Sequence, residues 1–354
     1  MKKERKNYFL VGLKYLLSNN IFKLTIALVT LFLVAVVVYK AINSKQQIEE
    51  FEVVKTKIEQ KQETELVIDY PQEENKSQTT GAVAITNCLK TPIKKEDLSQ
   101  ELLNISNQIE STMNESNYNF AFKYKDLYTG FSLAYNSNQP IYAASTIKAP
   151  EAIYIYEQAE KGNANLNDTL TYTSNYYSNG TGILKNTKFN VNYTIRDLVG
   201  YSIIHSDNAA HMMLNNKYKS ENIYNYWTEK GTTSIYKDKT AWGNLTADDG
   251  TIYMEELYNY YLTNTENSKE LLNYFKKSWK VISAPNNITI ASKSGWADNS
   301  LHDVALIFDD NPYTLVILSN RGYTEYQDFF NKISNLTYEF HQQYWKEKIN
   351  ICTK

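Results

Sequence analysis

Leu98, Leu102, Ile105, Ile109 and Met113 fall on one helical face, which predicts a helix over 97–115. The period then changes. Phe120, Phe122 and Tyr124 alternate with Ala121, Lys123 and Lys125, and after Tyr128-Thr129-Gly130 a second short run covers 131–135. That pattern predicts a β-hairpin. Three more strand-like runs lie at 288–292, 304–308 and 313–318, the last two facing each other across Asp309-Asp310-Asn311-Pro312. A closing helix is expected from about Thr324, with Phe329, Ile333, Leu336, Phe340 and Tyr344 in line. The stretch between the two strand groups reads as mostly helical, with capping-box patterns at Thr194-x-x-Asp197 and Thr246-x-x-Asp249. Strands from both ends must therefore meet in one sheet. The expected class is α+β: an antiparallel sheet flanked by N- and C-terminal helices, interrupted by an all-α lobe.

The front of the chain follows another pattern. Lys2, Lys3, Arg5, Lys6 and Lys14 precede sixteen uncharged residues, 24–39. With Ile21 and Phe22 included and Lys23 snorkelling, the apolar run is about 28 Å long as a helix, close to a hydrocarbon core. No small-x-small cleavage pattern follows it, because Val38, Tyr39 and Lys40 stand there. This reads as an uncleaved signal anchor over 21–39, behind a basic cytoplasmic tail over 1–20. Everything beyond the anchor is expected outside the cytoplasm: a polar stalk over 40–95, then a catalytic domain over 96–354.

Composition changes the picture in two places. The formal net charge of −2 splits into +6 for residues 1–42 and −8 for the rest, and an acidic ectodomain is a poor nucleic-acid binder. Two Cys exclude a disulfide-dense scaffold and a multi-Cys metal site. His205, His211, His302 and His341 show no ligand spacing, so neither a metal nor another cofactor is expected.

Candidate chemistry begins at Ser145-Thr146-Ile147-Lys148, at the start of a helix that Gly162 stops. Residues three apart share a helix face, so Lys148 is placed beside the Ser145 hydroxyl. A serine needs a base, and a lysine serves as one only where burial or a nearby cation lowers its pKa. The helix N-terminus also aims unpaired N–H groups at a developing oxyanion. Such a motif alone is weak, since a decoy stands at Ser234-Ile235-Tyr236-Lys237. Order decides between them: Ser206-Asp207-Asn208 follows Ser145, and Lys293-Ser294-Gly295 follows that at the end of an expected strand.

With this trio the chain resembles the superfamily of class A β-lactamases and penicillin-binding DD-peptidases. Supporting context is Thr181-Gly182-Ile183-Leu184, the run Tyr193 to Leu198 leading into the second motif, and His302-Asp303-Val304 after the third. The resemblance spans about 97–350. It implies that Ser145 is the acylated nucleophile, Lys148 its general base, and Ser206 a proton relay to the leaving nitrogen. It further implies that Asn208 binds the substrate's side-chain amide and that Lys293 and Ser294 hold its carboxylate. The backbone N–H groups of Ser145 and Trp296 would form the oxyanion hole. Tyr176 and Tyr177 fit an aromatic wall by analogy, although ordinary packing suits them better in so Tyr-rich a chain.

One departure matters. Class A β-lactamases carry a water-activating Glu in a loop between the second and third motifs. No Glu occurs over 230–250, and the segment is short. Asp238, Asp248 and Asp249 are the nearby carboxylates, with Asp249 read as a cap partner. The expectation is an extracytoplasmic serine hydrolase acting on β-lactams or D-Ala-D-Ala-type stem peptides, acylated readily and deacylated slowly. A DD-carboxypeptidase of cell-wall metabolism and a non-turnover β-lactam receptor or wall-binding module are the alternatives. In the resembled fold the first and last helices pack antiparallel, so a Cys88–Cys352 disulfide is also implied. Oligomeric state is not legible.

Overall fold

Every second residue of the central strands faces the same way, and this parity builds the molecule. The computed structural model describes residues 67–69, 81–115, 119–320 and 327–353, within a compact unit spanning 65–354. The strands of the main sheet are β1 (Val67–Asp69), β2 (Phe120–Asp126), β3 (Ser132–Tyr135), β8 (Thr289–Ala297), β9 (Ser300–Phe308) and β10 (Tyr313–Ser319). They run in the order β1-β3-β2-β10-β9-β8, every neighbour antiparallel. The join expected from the sequence is the pairing of β2 with β10, in register from Tyr313↔Asp126 to Ser319↔Phe120.

Phe120, Phe122 and Tyr124 share one core with Ala305, Ile307, Leu315 and Ile317. Ala121, Val304, Leu306, Val316 and Leu318 point into the other. The first core is closed by α2 (Gln100–Asn114) and α9 (Gln327–Thr353), through Leu102, Ile105, Ile109, Phe330, Ile333, Phe340 and Tyr344. Each such aliphatic or aromatic side chain contributes about 1.5–3 kcal/mol when fully buried. Helix α2 starts at Gln100, later than the apolar face suggested, because Ser99 caps it by accepting from Leu102 N.

The second core is covered by α3 (Lys148–Glu160), α4 (Ile195–Ile204), α5 (Asn208–Tyr218), α6 (Ser220–Glu229), α7 (Ala247–Leu262) and α8 (Glu266–Lys277). Gly250 lets α7 lie close on the sheet, since a Cβ there would meet Val316 and Val304 side chains at 3.0–3.2 Å. The Thr194–Asp197 capping box is present at α4. At α7, Thr246 accepts from Asp249 N, but the Asp249 carboxylate accepts from Thr233 N and Ser234 N. It therefore ties down the preceding turn as well as partnering Thr246 at the start of the helix, the cap role expected of it.

Two further expectations change. The lobe is not all-α: β5 (Thr169–Tyr172) pairs with β6 (Val191–Thr194), and β4 (Ile141–Tyr142) pairs with β7 (Asn244–Leu245). All four strands are short, and β5 and β6 are largely exposed, so they leave little hydrophobic alternation. The segment read as a polar stalk supplies β1, paired along β3, and α1 (Gly81–Lys90), packed on α9. Cys88 thus lies within α1 and Cys352 within α9; the two form a disulfide with their Cα atoms 5.6 Å apart. The anchor expected over 21–39 lies outside the described residues. No helix among the described residues is long and apolar enough to cross a membrane.

Candidate active site

A tight turn delivers the serine. Ala144 sits at a left-handed φ of 46°, and Ala144–Ile147 forms a short 3-10 helix leading directly into α3. Pro150 is accommodated because it lies in the first turn of α3, where an N–H would lack an intrahelical partner. Gly162 ends the helix as expected, with a φ of 75° and its N–H donated to Ala159 O. Ser145 is half-buried, whereas Lys148 beneath it is fully buried.

The three motifs converge on the Lys148 amine. Its Nζ lies 2.9 Å from Ser145 Oγ, 3.2 Å from Ser206 Oγ, 2.7 Å from Ser206 O and 2.7 Å from Asn208 Oδ1. Lys293 approaches from β8, with Nζ 3.2 Å from Ser206 Oγ and donating to Ser294 O at 2.7 Å. Two amines therefore bracket one hydroxyl. Burial pushes Lys148 well below the ordinary lysine range, and the Lys293 charge pushes it further. Burial also lowers Lys293, to about 7, with Asp303 opposing. A lysine whose pKa is depressed this way can hold an unprotonated amine against a serine hydroxyl.

The second motif is held under strain. Ser206 has a φ of 51°, unusual for a residue with a side chain, and its carbonyl is fixed by Lys148 Nζ and by Thr181 Oγ1 at 2.6 Å. Asp207 caps α5 by accepting from Ala210 N, and takes the N–H groups of Ile183 and Leu184 on its other oxygen. Its contacts are structural, joining the start of α5 to the 181–184 segment. Gly182 is required beside it: its φ is 128°, and a Cβ would meet the Asp207 carboxyl at 2.4 Å.

The third motif packs on the first. A Cβ on Gly295 would lie 2.8 Å from Thr146 N and 2.9 Å from Ser145 N, so only glycine lets β8 run against the serine turn. Strand β8 extends through Ala297, past the expected end at 292, because Lys293 pairs with Val304 and Gly295 with His302 in β9. Ser294 is buried, and its hydroxyl donates to Trp279 O at 2.8 Å, so the carboxylate contact expected of it would require the hydroxyl to rotate. Trp296 stands at the rim with its side chain half exposed.

The remaining candidates separate by position. His205 ends α4 with its ring near Tyr201, and Tyr176 receives a hydrogen bond from Asn216. Tyr177 is exposed. His302 is buried, donates to Tyr142 O and accepts from Ser319 N, and burial lowers it to about 4. Asp248 pairs with Lys123 on the sheet. Among the described residues no group of His, Cys, Asp and Glu could hold a metal ion.

Sequence reasoning missed three residues around the site. The Trp242 ring lies 5.4 Å from Lys148 Nζ. Behind it, His211 pairs with Glu151, both fully buried. Glu151 stands three residues after Lys148 and His211 four after Asp207, spacings that share a helix face with a motif residue and were the available signal.

Residues 104–341 match the beta-lactamase enzyme family. No curated protein is similar enough to the chain to be counted as a relative. The fold is shared with several solved structures. The β-lactamase from Sphaerobacter thermophilus DSM 20745 is 18% identical with a TM-score of 0.59, covering 66% of this chain and 95% of that one. A PBP-A mutant, solved as its acyl-enzyme complex with penicillin G, is 19% identical with a TM-score of 0.62, covering 68% and 97%. The TLA-1 extended-spectrum β-lactamase is 14% identical with a TM-score of 0.61, covering 68% and 99%. With the family match spanning most of the chain and the three motifs gathered around one buried lysine, the chain belongs to the beta-lactamase enzyme family, as a serine hydrolase of the β-lactamase and penicillin-binding kind.

Proposed function

We propose that the protein is an acyl-enzyme-forming serine hydrolase of β-lactams or D-Ala-D-Ala-type stem peptides that releases its acyl group slowly. One observation carries the reading: the buried Lys148 amine lies within hydrogen-bond reach of Ser145 Oγ and Ser206 Oγ together. The unprotonated amine takes the Ser145 proton as Oγ attacks the carbonyl carbon. The N–H groups of Ser145 and Trp296 hold the oxyanion. As the carbon–nitrogen bond breaks, Ser206 passes a proton to the leaving nitrogen and is resupplied from Lys148. Lys293 holds the substrate carboxylate, and Asn208 the side-chain amide. Slow release follows from the segment before α7. No Glu occurs over 230–250, and an indole stands near Lys148 in place of a carboxylate able to activate water. That favours penicillin-binding behaviour over efficient β-lactam hydrolysis. The PBP-A mutant held as a penicillin acyl-enzyme offers a chemical parallel.

The same proposal places the domain outside the cytoplasm on an anchor at 21–39, where the Cys88–Cys352 disulfide suits an oxidising compartment. Two measurements test it. Fluorescent penicillin should label the full-length chain but not Ser145→Ala, and external protease should remove the catalytic domain from intact cells. Equal labelling of both proteins would sink the catalytic assignment; a protease-protected domain would sink the topology.

A further inference from the structure

His211 and Glu151 are both fully buried, and neither hydrogen-bonds the reacting serine. Glu151 Oε2 lies 2.7 Å from His211 Nδ1, and His211 Nε2 lies 2.9 Å from Ala241 O. A carbonyl only accepts, so Nε2 must carry a hydrogen. Nδ1 then shares a single proton with Glu151, whichever of the two holds it, and the pair is electrically neutral. A neutral, hydrogen-bonded pair avoids most of the cost of a lone buried charge. What the pair grips is the chain at Ala241, one residue before Trp242.

The loop is gripped elsewhere as well. Gly243 O accepts from Ala143 N at 2.9 Å, and β7 pairs with β4, so 241–245 is stitched to the chain entering the Ser145 turn. The His211 and Trp242 rings pack edge to face at 4.8 Å, and Trp242 in turn lies 5.4 Å from Lys148 Nζ. A continuous line of contacts therefore runs from Glu151 through His211 and Trp242 to the catalytic amine. The charged groups acting on that amine are Lys293 from β8, Asp207 from the turn before α5, and Glu151 from its own helix.

We propose that Glu151 and His211 are positioning residues that hold Trp242 as a lid on Lys148, keeping the amine dry and the acyl–serine bond shielded from water. This rests on the acyl-enzyme reading above. An indole face attracts a cation but also excludes water. Because burial is the largest influence on Lys148, the drying effect prevails, and the lid favours the unprotonated base. Loosening the lid rehydrates the amine, raises its pKa and moves the acid limb of acylation to higher pH. It also admits water to the ester.

The test is the pH profile of penicillin labelling on the full-length chain, with release of the label followed afterwards. His211→Ala and Trp242→Ala should each shift the acid limb upward by about one pH unit, making labelling below the limb about tenfold slower. Both should release the label several-fold faster. Glu151→Gln should stay within about twofold of wild type, since its amide N–H can donate to Nδ1. A His211→Ala protein slowed by the same factor at every pH, with release unchanged, would overturn the proposal, because a merely structural defect behaves that way. If the wild type is not labelled at all, the acyl-enzyme reading fails. The positioning role is then decided by hydrogen exchange over 239–246: faster exchange in His211→Ala supports it, and unchanged exchange overturns it.

Discussion

Lys148 and Lys293 approach Ser206 Oγ at the same 3.2 Å, and burial lowers the pKa of each. Under the proposed mechanism their tasks differ: the base must be unprotonated, whereas the carboxylate holder must be charged. The second-order rate of acylation should therefore rise with pH as Lys148 loses its proton. It should fall again as Lys293 of the free enzyme deprotonates, at about 7. Lys293→Arg should abolish the alkaline limb, because a guanidinium stays protonated. A profile of unchanged shape in that variant would contradict the assignment. At this scale the sequence was informative, since a spacing of three on a helix puts Lys148 beside Ser145. Trp242 left no such signal, because its place over Lys148 comes from contacts between segments far apart in the chain.

Between elements, the decisive contact is β8 against the turn that carries Ser145. Gly295 faces the backbone N–H groups of Ser145 and Thr146 with no room for a methyl group. Gly295→Ala should push strand and turn apart, costing about 1–3 kcal/mol of stability. Penicillin labelling should fall at least tenfold, because the strand also carries Lys293. Thermal unfolding and labelling rate check the two effects separately, and an Ala variant that labels at the wild-type rate would refute this account of the glycine. The central strands were legible because they are buried on alternating sides. The end of β8 was not, since Ser292, Lys293 and Ser294 are polar yet buried. The pairs β4–β7 and β5–β6 were hidden for another reason: β4 and β7 are only two residues each, and β5 and β6 are short and largely exposed, so neither pair carries an apolar rhythm.

Over the whole molecule, the disulfide joins α1 to the end of α9 across 264 residues of sequence. Hydrogen bonds from Ser99 to Glu347 and from Ile93 N to Tyr344 strengthen the same seam. In the chain-entropy picture, closing so long a loop contributes up to about 5 kcal/mol, and engineered cases often give less. Reduction, or Cys88→Ser, should lower the midpoint of denaturant unfolding while leaving the labelling of folded protein intact, because the bond lies at the end of the helices closing the core opposite the lobe. An unchanged midpoint would show that the helix seam holds by packing alone. The layered α+β plan could be anticipated from hydrophobic period. The contribution of 67–69 and 81–90 to the domain could not, because a three-residue edge strand and one helix are lost in a charged, irregular stretch.

The central claim is a long-lived acyl group on Ser145. Intact-mass measurement of the full-length protein mixed with penicillin, followed over time with peptide mapping, tests it most directly. The account predicts one adduct per chain on the peptide containing Ser145, forming readily and persisting long after free penicillin is removed, and no adduct on Ser145→Ala. An adduct that maps elsewhere, or an acyl-enzyme that turns over as fast as it forms, would contradict it.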